Sequence, residues 1–201
     1  MLEILVVSAL SVGAYLATNA DNFVLLAAML AQRKAEKERV LLGFGVGVTV
    51  VLAASYLIAR EASLIPIRYV GLLGLVPVLM GAKGLIEIVR KRRVAPDAES
   101  FPEPTGRFVA SASALTMMSN SADTLIVLSA ILADSEHRVE PFILLSSAGA
   151  AVLVASLSAY AVGHPRLEVE IRRIAPLLTP FLLLAVGLYI LVNTATDLLP
   201  G

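Results

Sequence analysis

The stretch "ATNADNFVLL" (Ala17 to Leu26) places polar side chains in the middle of an otherwise apolar run near the start of the chain. Thr18, Asn19, Asp21 and Asn22 interrupt residues that are typical of a hydrophobic helix. A charged side chain at the centre of a membrane span costs roughly 2.5–3.5 kcal/mol on the insertion scale, so such residues usually carry a function. The composition of the whole chain decides whether this run is a membrane span.

That composition indicates an integral membrane protein. Of the 201 residues, 58% are hydrophobic and only 16% are charged, which is unusual for a soluble domain. Apolar runs long enough to cross a hydrocarbon core of about 30 Å recur along the chain. They predict a lipid bilayer as the environment. The six predicted spans are 2–31, 40–60, 67–90, 108–133, 141–163 and 174–198.

The segment 94–106 divides these spans into two groups of three, because its three prolines and three acidic residues are typical of a flexible loop. We therefore assign residues 1–93 and 107–201 to two three-helix units joined by a linker. Basic residues then predict the orientation, since twelve lie in loops on one side and three on the other. We expect the protein to span the cytoplasmic (inner) membrane. The linker should lie in the cytoplasm, and both termini should lie outside the cytoplasm. The twelve are Arg33, Lys34, Lys37, Arg39, Arg90, Lys91, Arg92, Arg93, Arg107, Arg166, Arg172 and Arg173; the three are Arg60, Arg68 and Arg138.

The two units share an internal repeat. The sequence "ADNFVLLAAMLA" (20–31) aligns without gaps on "ADTLIVLSAILA" (122–133), with six of twelve positions identical and Asp21 on Asp123. This alignment has an offset of 102 residues, and the third spans match at an offset of 103. Two units with an odd number of spans insert in opposite orientations. The predicted fold is therefore all-α, with six transmembrane helices arranged as two inverted-topology three-helix repeats.

The polar clusters "TNADN" and "NSADT" fall near the centres of the first and fourth predicted spans, at equivalent positions of the repeat. Helical spacing places the chemistry-bearing side chains of each cluster on one helix face. Two carboxylates with amide and hydroxyl oxygens suit a divalent cation such as Mn²⁺, Mg²⁺ or Ca²⁺, and Cd²⁺ or Zn²⁺ less specifically. The six expected metal-binding residues are Thr18, Asp21, Asn22, Asn120, Asp123 and Thr124.

Other small or polar residues in the spans are better interpreted as structural. Gly43 and Gly47 form a small-xxx-small pair, which predicts close packing against another helix. Met117 and Met118 adjoin the second cluster, and we expect them to pack in an apolar helix rather than to bind a soft ion. A group of serines is expected to hydrogen-bond across helices. These are Ser111, Ser113, Ser119, Ser146, Ser147 and Ser156.

These motifs resemble those of the cadmium resistance transporter family, within the wider lysine exporter superfamily. The resemblance lies in "ATNADNFVLL" (17–26), "LGLVPVLMGAKGL" (73–85) and the Asn-x-x-Asp motif in "NSADT" (120–124), and it covers most of the chain. It implies a six-span inverted-repeat fold and export of a divalent cation. The family often has a second acid where this chain has Asn22, and its Asn-x-x-Asp motif tends to be glycine-rich where this chain has Ser121 and Ala122.

Three functions follow from these patterns. The first is a divalent-cation exporter, driven by proton or sodium exchange, with Asp21 and Asp123 as ligands. The second is an exporter of amino acids or other small solutes. Such a substrate would need a cation or a helix terminus for its carboxylate. Within the predicted spans only Lys83 offers a cation, and we expect it to pair with Glu87 or to extend its charge to the membrane surface. The third is a membrane scaffold, for which two central aspartates make little sense.

Other classes of function are disfavoured. The chain has no cysteine, and its two histidines fall in predicted loops, so no Ser/His/Asp or Cys/His arrangement for catalysis is present. We therefore expect no enzymatic activity, no cofactor and no nucleic-acid partner. The sequence leaves the oligomeric state open, with a homodimer among the options.

Overall fold

A computed structural model describes residues 2–62, 71–90 and 108–197, and over these ranges the chain is helical and contains no strand. The predicted linker 94–106 lies outside the described residues. Short 3₁₀ helices cover Lys34–Glu36 and Gly71–Gly74. The α-helices are α1 (Leu2–Thr18), α2 (Ala20–Gln32), α3 (Lys37–Ala62), α4 (Leu75–Val89), α5 (Val109–Ser119), α6 (Ala122–Ala133), α7 (Glu140–Ala161) and α8 (Pro165–Asp197).

Several predicted spans are confirmed as single apolar helices. Among the described residues, α3, α7 and the stretch Leu72–Val89 are each long and apolar enough to cross a membrane. The last helix begins at Pro165, earlier than the predicted start at residue 174, and its apolar part covers Leu177–Val192. The start of the predicted span 67–90 lies outside the described residues.

The predicted spans 2–31 and 108–133 are not continuous helices, because each is divided into two helices by a bend. Helices α1 and α2 meet at an angle of 58°, and α5 and α6 meet at 62°. Asn19 and Ser121, which directly precede α2 and α6, have nearly the same backbone angles (φ −112°, ψ 16° and φ −106°, ψ 15°). Both lie between the helical and extended regions, which interrupts a straight helix. If each bent pair counts as one span, the described residues hold five candidate spans.

Packing between the two halves of the chain is reciprocal. Helix α3 of the first half packs against the bent pair α5–α6, and α7 of the second half packs against the bent pair α1–α2. Helices α4 and α8 pack against each other. The buried faces of α3 and α7 also correspond at an offset of 103 residues. The corresponding pairs are Val40 and Ile143, Phe44 and Ser147, Gly47 and Ala150, Val51 and Val154, and Ser55 and Ser158.

Glycines permit the closest approaches between helices. The prediction for Gly43 and Gly47 is confirmed, because both face α5. A Cβ at Gly43 would collide with the Ala110 carbonyl oxygen, and a Cβ at Gly47 would lie 3.2 Å from that of Ala114. A similar approach joins α8 to the 3₁₀ helix that precedes α4: a Cβ at Gly187 would lie 2.6 Å from the carbonyl oxygen of Gly74. The halves are therefore in direct backbone contact.

The serine prediction holds for one residue only. Ser113 Oγ donates a 3.0 Å hydrogen bond to the Val40 carbonyl of α3. Ser147 Oγ is buried without a hydrogen-bond partner among the described residues. The other four donate to carbonyls three or four residues earlier in their own segment, which a helical serine reaches without a second helix. They are Ser111, Ser119, Ser146 and Ser156.

Candidate functional site

The breaks in the two bent spans lie against each other and form a polar seam between the halves of the chain. Asn19, Asn22, Ser121 and Thr124 lie in this seam, and each is at most 4% exposed. Buried polar groups cost free energy unless they are hydrogen-bonded. These four side chains must therefore find hydrogen-bond partners within the seam.

Two hydrogen bonds cross the seam at equivalent positions of the repeat. Asn19 Nδ2 donates to Thr124 Oγ1 at 2.9 Å, and Asn22 Nδ2 donates to Ser121 Oγ at 3.1 Å. At the offset of 102 residues, Asn19 corresponds to Ser121 and Asn22 corresponds to Thr124. Exchanging the two halves therefore turns one bond into the other.

A second pair of bonds across the seam has the same property. Asn120 Nδ2 donates to Asn22 Oδ1 at 3.0 Å, and Thr124 Oγ1 donates to Thr18 Oγ1 at 2.9 Å. Asn120 corresponds to Thr18 at the same offset. Four of the six predicted site residues thus meet in one network, and they meet in pairs that the repeat relates.

Further bonds tie this network to the surrounding backbone. Asn22 Nδ2 also donates to Asn19 Oδ1 at 2.7 Å, and Asn19 Nδ2 donates to the Tyr15 carbonyl at 2.9 Å. Thr179 Oγ1 of α8 donates to the carbonyl of Ala17 at 3.1 Å. The last carbonyls of a helix have no partner within it, so a hydroxyl from a neighbouring helix stabilises the end of α1.

The two aspartates differ from the rest of the predicted site. Asp21 and Asp123 lie in the first turns of α2 and α6, where the partial positive charge of a helix N-terminus favours an anion. Both side chains are exposed, and within the described part of the chain neither accepts a hydrogen bond nor forms an ion pair. They are close enough for their negative charges to interact. Two carboxylates therefore stand beside the network without a partner among the residues that the structure describes.

The expectation that the three residues of each cluster share one face of a continuous helix is thus corrected, because a break separates Thr18 from Asp21 and Asn22, and Asn120 from Asp123 and Thr124. The carboxylates are open, whereas the side-chain oxygens of Thr18 and Asn22 accept hydrogen bonds from other members of the seam. Among the described residues, no group of three or more His, Cys, Asp or Glu side chains could hold a metal ion. The charge available at the seam is that of Asp21 and Asp123.

The structure also locates the residues that the sequence interpreted as structural. Lys83 Nζ lies 3.9 Å from Glu87 Oε1, which confirms the predicted pairing. Met117 is buried in the core, as predicted, whereas Met118 is 37% exposed.

Sequence reasoning missed two members of the seam, Asn19 and Ser121. Both precede an Ala-Asp pair, and asparagine and serine are residues favoured directly before a helix. Their correspondence at the offset of 102 residues was a usable signal. It was overlooked because the predicted site was limited to the helix face that carries the aspartates.

Comparison with known proteins bears on the identity of the chain. The profile of the cadmium resistance transporter family matches residues 15–199, which cover most of the chain and both halves of the seam. Comparisons with curated proteins and with solved structures gave no significant match. The chain belongs to the cadmium resistance transporter family.

Proposed function

We propose that this protein exports a divalent cation, Cd²⁺ or a similar ion, and that Asp21 and Asp123 bind it at the seam between the two halves. The observation that carries the proposal is a pair of carboxylates, each in the first turn after the break of a bent span, that have no hydrogen-bond or ion-pair partner within residues 2–62, 71–90 and 108–197. Oxygen ligands with two negative charges suit a divalent cation.

We further propose that the chain forms six spans in two inverted repeats, related by a two-fold axis in the membrane plane. Support comes from the reciprocal packing of α3 and α7 on the bent pairs, and from the hydrogen bonds that exchange under the offset of 102 residues. Transporters with this architecture bind their substrates near the midplane, beside discontinuous helices. On this account both termini lie outside the cytoplasm and the linker lies inside.

Charge gives a simple means of coupling. A divalent cation between Asp21 and Asp123 neutralises two like charges. When the cation leaves, the repulsion between these carboxylates favours the entry of a compensating proton or sodium ion, because each negative charge disfavours the other. Inward flow of that ion would then return the empty site to the state that accepts the next cation.

No observation favours export of amino acids. Lys83 is the cation that the predicted spans offer to a substrate carboxylate, yet its side chain is 80% exposed and pairs with Glu87 of the same helix. None of the hydrogen bonds observed in the seam involves Lys83.

Cadmium uptake into inverted membrane vesicles tests the proposal. Asp21→Asn and Asp123→Asn should each reduce Cd²⁺ transport to the level of vesicles without the protein, while the variants remain inserted and folded. Glu87→Gln removes a carboxylate of an exposed ion pair and should transport like the parent, which makes it the matched control. Parental transport by both aspartate variants would disprove a carboxylate site at the seam.

A further inference from the structure

We infer that Asn19 and Ser121 are positioning residues, each of which holds the aspartate of the opposite half in place. Asn19 sets the position of Asp123, and Ser121 sets the position of Asp21. The inference rests on the proposed function, because it takes the two aspartates as the ligands of the cation.

The connection runs through the residue next to each aspartate. Asn19 donates to Thr124, which directly follows Asp123 in the first turn of α6. Ser121 accepts from Asn22, which directly follows Asp21 in the first turn of α2. Neighbours in a helical turn move together. The bond from one half therefore fixes the start of the helix that carries the other half's carboxylate.

The aspartates have no comparable support of their own. Neither aspartate forms a hydrogen bond or an ion pair within the described part of the chain. Asn19 and Ser121, in contrast, are buried and hydrogen-bonded to the opposite half. A hydrogen bond in a buried, water-poor setting holds its partners firmly. Residues that orient metal ligands without touching the metal commonly change affinity by about 10–100-fold when they are replaced. That range sets the expected effect.

Each of the two bonds joins a side-chain amide to a hydroxyl, but the positions of the amide and the hydroxyl are exchanged between them. In one, the residue at the break provides the amide (Asn19) and the residue after the aspartate provides the hydroxyl (Thr124). In the other, the residue at the break provides the hydroxyl (Ser121) and the residue after the aspartate provides the amide (Asn22). Exchanging amide and hydroxyl within one pair should therefore recreate the bond that the other pair already makes.

Calorimetric titration of the purified protein with Cd²⁺ tests the role of Ser121. Ser121→Ala should raise the Kd by about 10–100-fold with an unchanged number of sites per protein. Ser55→Ala is the matched control, because both serines are buried and both donate to a carbonyl four residues earlier. Only Ser121 accepts a bond from the opposite half, so Ser55→Ala should leave the Kd unchanged. A merely structural role would lower the number of sites at a parental Kd.

A rescue experiment tests the pairing itself. Asn19→Ser and Thr124→Asn should each weaken Cd²⁺ binding. The serine of Asn19→Ser is too short to reach Thr124, and the asparagine of Thr124→Asn crowds the amide of Asn19. The double variant Asn19→Ser/Thr124→Asn should bind more tightly than either single variant. A double variant that binds no better than the weaker single variant overturns the inference.

The aspartate variants keep this result separate from the proposed function. If Asp21→Asn and Asp123→Asn lose Cd²⁺ binding while Ser121→Ala and Asn19→Ser bind like the parent, the positioning role is wrong and the carboxylate site stands. If the aspartate variants also bind like the parent, the proposed function fails, and the positioning role fails with it.

Discussion

Replacing Gly43 with alanine should destabilise the packing of α3 on α5, which holds the start of the second bent span. A Cβ at this position would collide with the Ala110 carbonyl oxygen and lie 2.8 Å from Ser113 Cβ. Neither obstacle is the end of a flexible side chain. The two helices must therefore separate.

The cost can be estimated from these contacts. Overpacking a well-packed helix contact costs typically about 1–3 kcal/mol. Separation also weakens the 3.0 Å bond from Ser113 Oγ to the Val40 carbonyl, which is worth about 1 kcal/mol. Alanine gains up to about 1 kcal/mol of helix propensity over glycine. We therefore expect Gly43→Ala to lower the free energy of unfolding by about 1–3 kcal/mol.

Gly45→Ala provides the control from the same helix. A Cβ at Gly45 would have no atom within 4 Å, so this variant should be as stable as the parent or more stable by up to about 1 kcal/mol. Equilibrium unfolding in mixed detergent micelles, followed by circular dichroism, compares the two. Equal stability of Gly43→Ala and Gly45→Ala would refute the reasoning from the close α3–α5 contact.

Three other changes have specific expected results. Asn22→Asp adds a second acid to the first motif and should shift selectivity between Cd²⁺ and Ca²⁺ in competition binding more than it lowers transport; a parental selectivity would contradict this. Because the chain has no cysteine, Ala98→Cys gives a single thiol in the predicted linker, and an impermeant maleimide should label it only when added to the cytoplasmic side. Labelling from outside intact cells would reverse the proposed orientation. Thr179→Val removes the donor to the Ala17 carbonyl and should cost about 1 kcal/mol in the same unfolding measurement; an unchanged stability would mean that the end of α1 does not need this bond.

Long apolar runs and the internal repeat were sufficient to predict the apolar helices and to locate the polar clusters that form the seam. Helix α3 was predicted as 40–60 and covers Lys37–Ala62, and α7 was predicted as 141–163 and covers Glu140–Ala161. These helices follow from long apolar runs, which have few alternatives in a membrane. The repeat-equivalent aspartates were also visible in the sequence, because a shared polar position at a fixed offset does not depend on local geometry.

The bends were not predictable from the same evidence. No proline or glycine lies at either break, and asparagine or serine costs well under 1 kcal/mol relative to alanine in a helix. A straight helix through Asn19 was therefore a reasonable expectation from local propensity. The bond from Asn19 to Thr124, 105 residues away, favours the bent arrangement, and only the tertiary structure contains it.

The prediction that the serines bond across helices failed for a related reason. A serine in a helix can donate to its own backbone or to another helix, and the two cases have the same sequence pattern. Ser113 faces α3 at a glycine contact and reaches Val40, whereas Ser156 is exposed and donates to Val152 of its own helix. The orientation of each side chain in the bundle decides between them.

The central claim is that a divalent cation binds between Asp21 and Asp123. A crystal structure of the protein with Cd²⁺, with the ion located by its anomalous scattering, tests this claim most directly. The account predicts one dominant peak with carboxylate oxygens of both aspartates at about 2.0–2.6 Å, the range of divalent cation–oxygen bonds. A dominant peak that contacts neither aspartate, for example at the exposed His137 and its partner Glu140, would contradict it.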